Sequence, residues 1–74
     1  MYNDKHIKIN FSMPEELRKT VKLLDQYAEG TSFMDSLKFE EQRDNLEIYS
    51  KSAYFEKKIS ADQLDMLWRK YGMR

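Results

Sequence analysis

The chain contains no cysteine. A disulfide framework, a thiolate metal site and a thiol nucleophile are therefore excluded. Histidine occurs once, at His6, so a protein-made zinc site lacks its usual imidazole and thiolate ligands, and nothing in the pattern supports a nucleophile–base–orienter relay. With one proline and two glycines the chain is neither a flexible linker nor the holder of a glycine-rich phosphate loop. No apolar run is longer than three residues. No segment reads as a membrane span or as the apolar core of a signal peptide. Excess charge is missing too: 13 basic residues balance 13 acidic ones, and neither sign gathers into an arm or tail. Non-specific attraction to nucleic-acid phosphates or to an anionic membrane surface should be weak.

What remains is a 74-residue chain, 41% apolar and 35% charged. That is too apolar for a disordered tail and long enough for one small domain. A domain this short leaves a narrow stability margin and little room for a deep catalytic pocket, so the chain reads as non-catalytic. No cofactor, metal or small-molecule substrate is expected. A cytoplasmic location is expected.

Residues 6–13 alternate polar His6, Lys8, Asn10 and Ser12 with apolar Ile7, Ile9, Phe11 and Met13. A strict period of two with β-branched and aromatic residues predicts a half-buried strand over 6–12. Ser12-Met13-Pro14-Glu15 has the spacing of a capping box, and Leu17, Val21, Leu24 and Ala28 follow at helical spacing. A helix over roughly 14–29 results, ended by Gly30. Residues 31–38 are open: Ser32 to Asp35 could cap a second helix, or the helix could start near Leu37. From about 39 to 57, Phe39, Leu46, Tyr49 and Ala53 share one face, with Ile48, Phe55 and Ile59 on a neighbouring one. A strand at 46–50 is the minor alternative there. Ser60-Ala61-Asp62-Gln63 is another capping box. It opens a helix of about 61–71 with a stripe of Leu64, Leu67, Trp68 and Tyr71, and Gly72 follows as its stop. The expected fold is mainly α: one short N-terminal strand, then about three helices, the last two forming a helical hairpin. It is one domain over 1–74, with strand plus helix at 6–30 and the hairpin at 37–72.

Most chemistry-bearing residue types have plain structural roles here. Glu40, Glu41, Asp44 and Glu47 read as a solvated face, with Glu47 to Lys51 a favourable i,i+4 pair. Trp68 and Tyr71 read as core of the hairpin. Met66 lies off the main stripe, and with Met73 it is the candidate for an exposed apolar contact with a partner.

A lone strand cannot satisfy its own ladder groups, so a strand at 6–12 needs a partner. The same strand of a second copy would supply one across a two-fold axis. This stretch, Ile-Lys-Ile-Asn-Phe-Ser-Met-Pro-Glu-Glu-Leu at 7–17 followed by a helix to Gly30, resembles the ribbon-helix-helix DNA-binding family. The resemblance implies a dimer whose outward strand residues His6, Lys8 and Asn10 read bases in the major groove. It covers about 30 of the 74 residues. It weakens at Glu40 and Glu41, where the family's second helix would continue an apolar repeat. The last 35 residues resemble instead a short bacterial helical-hairpin module, which implies protein contacts.

Two functional expectations follow. One is a non-catalytic protein-interaction module with a protein partner or a second copy. The other is a dimeric DNA-binding regulator using the 6–12 strand, which the balanced charge disfavours.

Overall fold

The computed structural model describes residues 1–73, and these form three helices: α1 (Glu15–Ala28), α2 (Phe33–Phe55) and α3 (Ala61–Lys70). The helical part of the expectation holds. Both short connections return the chain antiparallel to the preceding helix. The start of α1 lies beside the end of α2, where Leu17 and Ala53 line one groove. At the other end of the pair, Lys38 sits over the Tyr27 ring at 5.7 Å. On the opposite flank of α2, Trp68 donates to Ser50 and Arg43 donates to the carbonyl of Gly72.

The strand over 6–12 is not present: residues 1–14 form a strap without helix or sheet. The alternation is real, because Ile7, Ile9, Phe11 and Met13 are half-buried while Lys8, Asn10 and Ser12 are exposed. A ladder needs a second strand, however, and the one internal candidate, 46–50, lies inside α2. The strap begins with a turn in which the Ile7 N–H donates to the Asp4 carbonyl and the His6 N–H to the Asp4 carboxylate. Such local side-chain bonding competes with extended pairing.

Helix starts obey local chemistry. Ser12 does not cap α1; Pro14 is the N-cap, with no side-chain cap bond. Capping by Ser12 would require Met13 to be helical, and the residue before a proline is driven out of that region. Glu15 and Glu16 then sit at the positive end of α1. Ser32 does cap α2: its hydroxyl accepts from Asp35 N–H at 3.1 Å, and Asp35 Oδ2 accepts from Ser32 N–H at 3.4 Å. That reciprocal box places the start of α2 at Phe33. Ser60 and Gln63 cap α3 the same way.

Helix ends differ. α1 runs into Glu29 in a right-handed conformation, and Gly30 does not adopt the left-handed turn expected of it. Its small size serves another end, since an added Cβ would collide with the Asp35 side chain of the next cap. α3 stops in a Schellman turn as expected, with Gly72 at φ 72° and the Met73 N–H bonded to the Trp68 carbonyl. α2 ends in the same motif, but Lys57 occupies the left-handed position at φ 61°.

The core gathers Leu17, Val21 and Leu24 of α1, Phe39, Leu46 and Ala53 of α2, Leu67 of α3, and then Ile59 and Tyr71. Ile9, Phe11 and Met13 of the strap lean on it. Tyr71, fully buried, packs edge-to-face on Phe39 with ring centroids 6.5 Å apart. The strap is fixed at its root by Lys70. Its Nζ donates to the carbonyls of Asp4 and Ile7 at 3.3 and 3.1 Å, and its own carbonyl accepts from the Asp4 N–H.

Candidate interaction surface

α2 is the longest helix, 23 residues, or about 34 Å at 1.5 Å per residue. Its core side is set by Phe39, Leu46, Ser50 and Ala53. At 100° per residue, Leu37, Ile48 and Phe55 fall within about 20° of one line on the opposite side. They are 49%, 61% and 77% exposed. Phe33 and Met34, also exposed, extend the line at the first turn. Single exposed apolar residues need no explanation, but five on one helix face make it the candidate contact surface.

The polar residues on this face are charged. Glu41 and Asp44 separate Leu37 from Ile48, and Lys51 separates Ile48 from Phe55. Glu41 and Asp44 have no ion partner among the described residues. Lys51 stands 4.0 Å from Glu47 and 5.6 Å from the centroid of the Trp68 ring. Along α2 the two halves differ in charge: residues 33–44 carry four acids against two bases, and residues 45–55 carry one acid and one base.

The residues singled out from sequence lie elsewhere. Met73 is half-buried against the core and Met66 is half-buried on α3. Lys8 and Asn10 point outward from the strap, while His6 lies in the turn at its root. The backbone groups of residues 8–13 make no hydrogen bond among the described residues. A groove runs between Ile9 to Met13 of the strap and Arg18, Val21, Lys22 and Asp25 of α1. It is open, and no cluster of catalytic groups lines it. Among the described residues no three His, Asp or Glu side chains converge on a metal position, and no helix is long and apolar enough to cross a membrane.

The α2 face was open to sequence reasoning. The sequence pattern groups Ile48 with Phe55, as the structure does, but adds Ile59 to them. Ile59 lies beyond the helix and is buried. Extending the line backwards to Leu37 and Phe33 required knowing that α2 begins at Ser32.

Comparison with protein families, with curated proteins and with solved structures gives no match to this chain.

Proposed function

We propose that the chain is a non-catalytic intracellular protein-interaction module, with the outward face of α2 as its docking surface. The observation that carries this is the line Leu37, Ile48 and Phe55, exposed on the side of α2 opposite the core. Burying such a face supplies the apolar term on which association rests, about 25 cal/mol per Å² of surface covered. The helix presenting it is held on its other side by both neighbours, so little ordering cost falls due on binding.

The test is photo-crosslinking of the full chain with benzoylphenylalanine in place of Phe55, and separately in place of Lys19 on exposed α1, in extract of the cells that encode it. The expected result is a discrete protein adduct at Phe55 that Ile48→Glu abolishes. Equal labelling at both positions would reject the reading.

A second reading is favoured by one observation, the unbonded backbone of residues 8–13 with Lys8, Asn10 and Ser12 outward. Such an edge suits pairing with a second copy of itself, and the paired ribbon would offer Lys8 and Asn10 to DNA. In that case Lys8→Ala flattens the salt dependence of DNA binding. Binding that is absent at low salt dismisses it.

A further inference from the structure

We propose that the occupant of the α2 face is the α2 face of a second copy, packed antiparallel. This rests on the reading of that face as a docking surface and names its partner.

The register follows from the spacing and the charges together. Met34, Leu37, Glu41, Asp44, Ile48, Lys51 and Phe55 succeed one another at alternating steps of three and four residues, which is the seam of a coiled coil. In an antiparallel pair, positions of one kind on one helix meet positions of the other kind on its mate. Residue sums of 85, 92 and 99 satisfy this; 85 would set Glu41 beside the partner's Asp44 and 99 shortens the overlap, so the sum of 92 is the register that pairs opposite charges. It sets Leu37 beside the partner's Phe55, Glu41 beside the partner's Lys51 and Asp44 beside the partner's Ile48. The two-fold axis repeats each layer, so both ends of the seam are apolar and two Glu–Lys layers flank the centre.

Charge supports the same orientation. The acidic first half of each α2 lies along the half of its mate that carries Lys51, and the antiparallel macrodipoles attract. A parallel pair would instead place Glu41 against Glu41 and Lys51 against Lys51. Among the described residues Glu41 has no ion partner, and Lys51 has the 4.0 Å approach of Glu47 and the Trp68 ring. Both side chains can turn to the seam without breaking a close ion pair.

The overlap runs from Leu37 to Phe55, about 28 Å of helix. Two helices meeting over that length bury on the order of 1,000 Å² in total, at the lower bound for specific interfaces. The central Asp44 beside Ile48 weakens the seam further, because a carboxylate is partly desolvated there. A dimer in the micromolar range is therefore expected, with dissociation promoted by salt.

The experiment is sedimentation equilibrium of the full chain from about 1 μM to 1 mM. The expected result is conversion from 9.0 kDa to twice that mass within the range. Glu41→Lys and Lys51→Glu should each raise the dissociation constant at least tenfold, since each places like charges opposite one another in both symmetric layers. The double variant E41K/K51E should return it to within about threefold of the wild type. Both positions are exposed, and an unchanged circular dichroism melt confirms that the variants fold. A single 9.0 kDa species at every concentration overturns the self-pair, as does a dimer indifferent to the single charge reversals. A monomer whose Phe55 probe crosslinks to a different protein overturns the self-pair and keeps the docking face. A monomer with no specific adduct at Phe55 overturns both.

Discussion

The Tyr71 hydroxyl lies 2.6 Å from Oδ1 of Asp25, across 46 residues of sequence. The same carboxylate oxygen accepts from the Asn3 amide at 3.4 Å. One side chain of α1 thus holds the end of the chain and its beginning together. Tyr71 is fully buried, so its hydroxyl needs this acceptor.

The first prediction concerns pH. Burial, and then the hydrogen bond and negative charge of Asp25, hold the Tyr71 hydroxyl well above its ordinary value of 10.0. In the unfolded chain the group ionises near 10; in the folded chain it stays protonated. The stabilisation is therefore complete below about pH 10 and is lost as pH rises beyond it. Tyr71→Phe should cost about 1 kcal/mol at neutral pH, the net worth of the lost hydrogen bond. It should also flatten the alkaline limb of stability. Urea melts at pH 8, 10 and 11 check this, and parallel pH profiles for the two proteins would refute it.

The second prediction concerns the strap. Lys70 is nearly buried and spends its ammonium on the carbonyls of Asp4 and Ile7. Lys70→Met keeps the stem and strands both acceptors. The cost should be about 1.5–3 kcal/mol, as for charge-assisted bonds. Hydrogen exchange should accelerate at Asp4 and Ile7, whose N–H groups are bonded in the latch, and should stay slow in the middle of α2. Uniform acceleration would mean that the strap and bundle open as one unit.

The third prediction is a stabilisation. Lys57 sits in the left-handed region at φ 61° to close the Schellman turn after α2. A side chain there costs about 1 kcal/mol that glycine does not incur. Lys57→Gly should recover most of this, offset slightly by the greater freedom of glycine in the unfolded chain. A rise of a few degrees in Tm is expected, since about 1 kcal/mol shifts a domain of this size by 4–8 °C. A lowered Tm would show that the Lys57 side chain contributes more than its backbone costs.

Legibility in the sequence followed how well local signals agreed with one another. α1 and α3 each present one apolar stripe, and their boundaries lie within a residue or so of expectation. α2 carries apolar residues on two opposite faces. Phe39, Leu46 and Ala53 look inward, while Leu37, Ile48 and Phe55 look outward, so no single stripe marked its start. The Ser32 capping box offers one start and Leu37 another, and apolar Phe33 and Met34, exposed in the structure, do not decide between them. The strap misled for a different reason. Its alternation records which side chains touch the core, and side-chain alternation does not supply the second strand a ladder needs. Met66 departs from the α3 stripe and Met73 lies past its end, yet neither departure leaves a side chain fully exposed. Met73 packs against the core.

The last prediction separates packing from hydrogen bonding at the junction of α2 and α3. Trp68 is half-buried, and its indole N–H donates to Ser50 Oγ at 2.9 Å. Ser50 is fully buried and in turn donates to the Leu46 carbonyl one helical turn back. The hydroxyl is thereby satisfied as donor and acceptor at once. Trp68→Phe keeps one aromatic ring and removes the N–H with a smaller part of the packing, which should cost about 1–2 kcal/mol. Trp68→Ala also empties the space between the helices. It should cost about 3 kcal/mol, the low end for a large aromatic because part of the indole already faces solvent. Ser50→Ala in the Trp68→Phe background should then add little, since the pair acts through one bond and its loss is counted once. Chemical denaturation of the three variants, followed by circular dichroism, supplies these values. If Trp68→Phe proves as damaging as Trp68→Ala, the hydrogen bond rather than the buried ring holds α3 to α2.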